Sequence, residues 1–111
     1  MRGLWGPRFG EERLNLPLLK TIRTQGEVLV IVCDAELLGK KFKQGKFKLE
    51  VKKSFYDGEE TSVEECISAL RGATIANLVG SIVGHAVKAG IIERKNVLHF
   101  QKVQHAQLVR I

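Results

Sequence analysis

Few polar residues in this chain of 111 residues have a type and spacing that suit chemistry. Asp34 and Lys40 flank a short segment that ends in glycine, and a carboxylate near an ammonium group can transfer protons. His105 and Gln107 alternate along a predicted strand and therefore share one of its faces. If that strand packs beside Asn77, the three side chains form an amide-rich site that can read hydrogen-bonding edges such as those of bases. An enzyme that uses Asp34, Asn77 and His105 is one hypothesis.

Each of these residues also has a structural interpretation. Asp34 can cap a helical turn over residues 35–38, Asn77 can bond a neighbouring carbonyl, and His105 can be a half-buried strand residue. The sequence has no Walker-type glycine loop and no Gly-x-Ser-x-Gly motif. Its histidines and cysteines lack C-x-x-C and H-x-x-x-H spacing. The sequence therefore predicts no metal site and no cofactor, and an enzyme is the least favoured class.

The strongest charge feature lies between residues 40 and 53. This segment holds seven lysines and one acidic residue, an excess that equals the formal net charge of +6 of the whole chain. A localised cation excess favours a polyanionic partner. The predicted phosphate contacts are Lys41, Lys43, Lys46, Lys48 and Lys52. Phe42, Phe55 or Tyr56 could stack on a base if exposed. The alternative is a solvated lysine face that protects a sheet edge from aggregation.

Apolar patterns predict the strands that carry these residues. Residues 18–23 and 28–33 form a hairpin through Gly26, and the second strand, with six consecutive apolar residues, is expected to be buried on both faces. Phe47, Leu49 and Val51 alternate with charged residues, so all three are expected in the core. Residues 41–43 are the expected partner strand.

The longest apolar pattern runs from Gly72 to Gly90 and predicts a helix that begins near residue 73 or 74 and ends at Gly90. Gly80 and Gly84 lie one turn apart on its polar side and would flatten that face, at a cost of up to about 1 kcal/mol each. A face this flat suggests a protein-interaction module that receives a partner or a second copy of the chain. Upstream, Ser62 and Glu65 fit a capping box at the start of a shorter helix.

The order of these elements predicts an α+β fold, an antiparallel or mixed sheet of hairpins packed against a two-helix layer. Residues 18–111 form one domain, and residues 1–17, which include Trp5, are expected to be an N-terminal extension. No apolar stretch is long enough to span a membrane, and the first 19 residues do not fit a signal peptide. Cys33 and Cys66 are expected to be buried free thiols in a reducing cytoplasm.

Three ordered blocks of the sequence are distinctive: GEVLVIVCDAELLGK at residues 26–40, ATIANLVG at 73–80 and HAQLVR at 105–110. Over residues 18–111 the chain resembles an uncharacterised archaeal family catalogued as domain of unknown function 424. The resemblance implies an archaeal cytoplasmic protein with no established activity, grouped with translation genes, particularly that of initiation factor two. Gln101-Lys102 and Gln104 stand where the family pattern has a glycine and a proline, which leaves the geometry around His105 open.

The sequence thus favours a small cytoplasmic, non-enzymatic protein that binds RNA or a ribonucleoprotein and is associated with translation. Its lysine-rich strand would neutralise phosphates. The alternative is a protein-interaction module that contacts an initiation factor or a second copy through the glycine-flattened helix face. Neither hypothesis involves a membrane.

Overall fold

A computed structural model of the protein describes residues 16–110. Most of the predicted N-terminal extension, including Trp5, lies outside these residues. Within them, no helix is long and apolar enough to cross a membrane. The elements are β1 (Pro17–Thr24), β2 (Glu27–Asp34), a 3-10 turn (Ala35–Leu37), β3 (Lys41–Gln44), β4 (Phe47–Glu50), α1 (Lys53–Tyr56), β5 (Glu59–Glu60), α2 (Val63–Arg71), β6 (Ile75–Val79), α3 (Ile82–Lys88), a second 3-10 turn (Arg94–Asn96), β7 (Leu98–Phe100) and β8 (Val103–Val109).

Six strands form the main sheet, in the order β5-β1-β2-β6-β8-β7. The β2–β6 pair is parallel and the other neighbours are antiparallel. Strand β2 is central, and its residues from Val30 to Cys33 are fully buried, as six consecutive apolar residues predict. Strands β3 and β4 form a separate two-stranded sheet.

The main sheet is covered on both faces, so the molecule has three layers. Helices α2 and α3 pack on one face, here called the helix face, around Leu70, Leu78 and Val83. The β3–β4 hairpin and α1 pack on the opposite face, here called the hairpin face, through Leu49 and other apolar side chains. The predicted α+β fold with a mixed sheet and a helical layer is confirmed, and the hairpin adds a third layer.

The long helix predicted between residues 73 and 90 is wrong in its first half. Ile75–Val79 is strand β6, and the helix spans only Ile82–Lys88. A short apolar run fits a strand buried on both faces as well as a helix, and only its position between β2 and β8 decides. Gly80 separates the two elements with a φ of +103°. Gly90, with a φ of +77°, ends the helical turn as predicted.

The position of Phe47 also differs from the prediction. Leu49 and Val51 are buried, as their alternation indicates, but the Phe47 side chain is 72% exposed. It lies at the tip of the hairpin, where its cross-strand neighbour is Gln44 rather than another apolar residue. The pattern gave the correct face, and the length of the hairpin carries Phe47 beyond the core.

The capping box at the start of α2 is formed in part. Ser62 Oγ accepts a hydrogen bond from the Glu65 N–H at 3.1 Å, as predicted. The Glu65 carboxylate accepts a hydrogen bond from the Thr61 hydroxyl at 2.5 Å, and no bond from it to the Ser62 backbone is seen.

Candidate nucleic-acid interface

The polar residues predicted as a possible catalytic set do not form a single site. Strand alternation places Asp34 on the helix face, whereas Asn77 and His105 lie on the hairpin face. Lys40 is exposed at the base of the hairpin. Because Asp34 is separated from the other two by the sheet itself, the enzyme hypothesis has no geometric support.

Asp34 joins the two parallel strands at their carboxyl ends. Its carboxylate accepts hydrogen bonds from the Ser81 N–H at 2.9 Å and from the Ser81 hydroxyl at 2.8 Å. It makes no side-chain bond to the 3-10 turn that follows it, so the prediction that Asp34 caps this turn is wrong. A Cβ atom at Gly80 would lie 2.7 Å from the Asp34 carboxylate carbon. The close approach of Gly80 therefore lets Asp34 reach Ser81.

Asn77 lies in β6, not in the first turn of a helix as predicted. Its side-chain oxygen accepts a hydrogen bond from the Tyr56 hydroxyl at 2.5 Å, which fastens α1 to the hairpin face. Gln107 is directly opposite Asn77 on β8 and is exposed. The two amides are thus neighbours, as the predicted amide-rich site requires, but the Asn77 side-chain oxygen is already hydrogen-bonded to Tyr56.

His105 is a buried histidine with a satisfied ring nitrogen. Its Nδ1–H donates to the Leu78 carbonyl at 2.9 Å, because a carbonyl oxygen can only accept. The other side of its ring meets Phe100, with ring centroids 6.3 Å apart. These contacts support the structural interpretation of His105.

Arg110 and Thr74 hold the chain near the start of β6, and sequence patterns alone did not single them out. Arg110 Nη1 donates to the carbonyls of Leu70, Arg71 and Ala73, at 2.9, 3.3 and 2.6 Å. These carbonyls lie at the end of α2 and in the two residues after it, where negative charge accumulates. The Leu70 carbonyl also accepts from the Ala73 N–H at 3.2 Å. Thr74 Oγ1 accepts from the Val28 N–H at 2.8 Å where β2 and β6 begin to pair.

Both cysteines are buried free thiols, as predicted. Burial raises the pKa of Cys33 to about 12, with a smaller contribution from Asp34. Burial likewise raises the pKa of Cys66 to about 11. A thiol that stays protonated is a poor nucleophile and a poor metal ligand, so neither cysteine is suited to catalysis at neutral pH.

The basic hairpin, defined as residues 41–50 of β3, β4 and their turn, displays its charge on one side. Phe42 and Leu49 face the core, so alternation places Lys43 and Lys48 on the outer side, directly opposite each other. Like charges at opposed positions of a sheet repel. All five predicted phosphate contacts, Lys41, Lys43, Lys46, Lys48 and Lys52, are exposed. The structure brings four of them together on this hairpin, and Lys52 follows it.

These ammonium groups have no carboxylate partner in the part of the chain that the structure describes, where the one ion pair joins Lys95 to Glu93. Lys41 is paired in register with Glu50 without an ion pair between them. A cleft of about 610 Å³ lies against the hairpin, and its charged lining consists of Lys41, Lys43 and Lys48 together with Glu50. The hairpin therefore combines a cleft with an excess of positive charge.

The aromatic residues near the lysines differ from the predicted stacking set. Tyr56 is buried, and Phe55 is 38% exposed and packs edge-on against Tyr56. Phe42 is half-buried against the core. Phe47, which was expected in the core, is the aromatic side chain that the hairpin presents to solvent.

Together, the fold and this surface define a small α+β protein with a basic β-hairpin laid over one face of a mixed sheet. Among residues 16–110, no group of three or more His, Cys, Asp or Glu side chains is placed to hold a metal ion. The chain belongs to the family described as "Protein of unknown function (DUF424)", which matches residues 22–111. The resemblance seen in the sequence is thereby confirmed.

The fold has a counterpart of known structure. The chain is similar to an uncharacterized conserved protein from Methanopyrus kandleri, whose crystal structure superposes with a TM-score of 0.68 at 24% sequence identity. The similarity covers 86% of this chain and 94% of that chain. No curated protein matches the sequence. These comparisons establish the family and the fold.

Proposed function

We propose that this protein is a small, non-enzymatic RNA-binding protein of the cytoplasm that binds the phosphate backbone through its basic hairpin. Ribosomal RNA and tRNA are the first candidates, because the family resemblance implies an association with translation. The cationic side chains of the hairpin would replace counterions along the RNA.

The observation that carries this proposal is the opposition of Lys43 and Lys48 on the outer side of the hairpin, without carboxylate partners in the described chain. Two opposed ammonium groups are unfavourable in the free protein. A phosphate bound between the two lysines would attract both ammonium groups and offset their mutual repulsion. Edge protection alone explains single lysines on an exposed strand but does not require two of them face to face.

The predicted protein-interaction function lacks the surface on which it was based. Gly80 precedes α3, so it does not share a helix face with Gly84. Gly84 is half-buried, and a Cβ atom placed there would meet only a side-chain oxygen of Gln104 at 4.0 Å. The structure therefore contains no helix face flattened by two glycines in residues 72–90.

The test is the affinity of the purified protein for tRNA and ribosomal RNA across a series of salt concentrations. The diagnostic variant changes Lys43, Lys46 and Lys48 to Gln together. Each phosphate contact to single-stranded nucleic acid contributes about −0.7 to the slope of log K against log salt. We expect the triple variant to bind more weakly and to lose about two units of that slope.

A matched control removes the same number of charges elsewhere. Arg23, Lys88 and Arg94 are exposed cations outside the hairpin, and changing all three to Gln lowers the formal net charge from +6 by the same amount. We expect this variant to bind RNA nearly as well as the natural protein. Equal weakening in both variants would indicate unspecific attraction to a basic protein, and the absence of salt-dependent binding in the natural protein would overturn the proposal.

A further inference from the structure

The basic hairpin carries its exposed aromatic side chain, Phe47, and its paired lysines on opposite sides. Phe47 lies on the same side as Leu49, whereas Lys48 lies on the outer side, and Lys46 occupies the turn between them. A polymer that contacts both sides must therefore pass around the tip of the hairpin.

Phe47 is the most exposed of the large apolar side chains in the described chain, at 72%. Two other aromatic residues of the hairpin face have ring partners, with ring centroids 4.9 Å apart for Phe55 and Tyr56 and 6.3 Å apart for Phe100 and His105. Phe42 is half-buried against the core. The apolar exposure of Phe47 is unfavourable in water and contributes little to the core. The position is thus poorly explained by the stability of the fold.

The tip that presents Phe47 is held against the rest of the molecule. Gln44, directly opposite Phe47, accepts a hydrogen bond through Oε1 from the Gln101 N–H at 3.2 Å. Gln101 belongs to the turn between β7 and β8 and has a φ of +62°. A supported tip loses less conformational entropy on binding than a free loop. The anchor therefore suits a side chain that contacts a ligand.

We propose that the hairpin binds RNA that is single-stranded, with one unpaired base stacked on the Phe47 ring and the neighbouring phosphates on Lys43, Lys46 and Lys48. This inference rests on the proposed function. A base on one side of the hairpin tip and its phosphates on the other cannot belong to a duplex, where the bases are stacked inside. The major groove of A-form RNA is also too deep and narrow for side chains to reach its bases.

The test compares Phe47→Ala with the natural protein on a short single-stranded RNA and on a blunt-ended RNA stem closed by a tight loop. Stacking on an aromatic side chain is worth about tenfold or more in affinity for each base. We expect the natural protein to prefer the single strand, and Phe47→Ala to lose about tenfold on that strand with an unchanged salt dependence. Equal melting temperatures of the two proteins would show that the fold is intact.

Two further variants separate stacking from apolar contact. Phe47→Leu keeps apolar area without a ring, and we expect it to bind as weakly as Phe47→Ala. Phe47→Trp keeps the ring, and we expect nearly natural affinity. Trp5 is the only tryptophan of the chain, so a Trp5→Phe background makes fluorescence report on position 47 alone. We expect that fluorescence to be quenched by the single strand.

The two proposals fail in different ways. If the Lys43, Lys46 and Lys48 variant loses affinity while Phe47→Ala does not, the stacking inference is overturned and the proposed function stands. If the natural protein binds the stem as tightly as the single strand, the stacking inference is also overturned. If Phe47→Leu binds with natural affinity, stacking is likewise overturned, and position 47 makes only a general apolar contact. If neither the lysine variant nor Phe47→Ala changes binding, both proposals are overturned.

Discussion

The segments at the two ends of β6, residues 73–74 and 80–81, use their polar residues in the opposite way to the basic hairpin. They are here called the β6 ends. At the β6 ends, Asp34 bonds to Ser81 and Thr74 bonds to Val28, and Arg110 bonds to three carbonyls between α2 and β6. On the hairpin, the lysines have no ion-pair partner among residues 16–110. Polar groups in the first region hold the fold together, whereas the charges of the second are left available.

This contrast separates what the chain needs in order to fold from what it offers to a partner. The three sequence blocks that carry the family resemblance all contribute to the β6 ends, through Asp34, Gly80 and Arg110 among others. We therefore expect variants at the β6 ends, and of Arg110, to lose stability without a specific loss of RNA affinity. Hairpin variants should do the reverse.

The largest expected effect on stability is at Gly80, and it should be absent at Gly84, although the sequence pattern places both glycines on one helix face. In Gly80→Ala, the positive φ is strained and the new Cβ would lie 2.7 Å from the Asp34 carboxylate carbon, so we expect a loss of about 3 kcal/mol. Gly84→Ala is the matched control, because a Cβ there has room and alanine favours a helix by up to about 1 kcal/mol. Denaturant unfolding of both variants measures the difference. A Gly80→Ala protein as stable as Gly84→Ala would contradict the role of Gly80.

The next effect concerns Arg110, which should matter through its hydrogen bonds and not only through its charge. Arg110→Ala leaves the carbonyls of Leu70 and Ala73 without this donor, and we expect a loss of about 2 kcal/mol in the free energy of unfolding. Arg110→Lys keeps the charge but lacks the planar donors, so we expect it to recover only part of the loss. Denaturant unfolding measures both variants. Full recovery of stability in Arg110→Lys would mean that a positive charge near the end of α2 is enough to stabilise the fold.

A smaller effect comes from the buried thiols at high pH. The pKa of Cys33 is raised from 9.0 to about 12 and that of Cys66 from 9.0 to about 11, so the unfolded chain loses these protons first. The stability that each thiol contributes is complete below pH 9 and decreases as the pH rises toward the folded-state pKa. At pH 10, each thiol should account for a loss of about 1.4 kcal/mol in the free energy of unfolding.

Unfolding of the natural protein and of a Cys33→Ala, Cys66→Ala double variant, across this pH range, measures the contribution of the thiols. We expect the double variant to show a shallower decrease, with the remainder due in part to Tyr56, whose pKa is raised from 10.0 to about 12. An identical pH dependence in both proteins would mean that the thiols are not protected by the fold.

The smallest expected change in stability is at the hairpin itself. Lys43→Glu replaces a repulsion with Lys48 by an attraction, and at an exposed site we expect a gain of no more than about 0.5 kcal/mol. The same variant should bind RNA more weakly than the natural protein. Thermal unfolding and RNA titration of one preparation test both expectations. A loss of stability comparable to that of Arg110→Ala would show that the lysines serve the fold.

Much of the architecture could be predicted because it follows from local patterns. The apolar run of β2 predicts a central strand, and the alternation in residues 47–51 predicts a hairpin with lysines on its outer side. Gly90 and Ser62 mark helix ends through the conformations and hydrogen bonds that those ends require. The location of the positive charge is likewise a property of the sequence alone.

Other features depend on neighbours that no local pattern contains. Whether Ile75–Val79 is a strand or a helix is decided by the open edge of β2, which offers hydrogen-bond partners to a strand. The partners of Asp34, Asn77 and Arg110 lie 47, 21 and up to 40 residues away along the chain. The exposure of Phe47 depends on how far the hairpin extends past the core. Periodicity and charge can therefore be read from neighbouring residues along the chain. Which polar groups are satisfied within the fold, and which remain available to a partner, depends on contacts between segments that are distant in sequence.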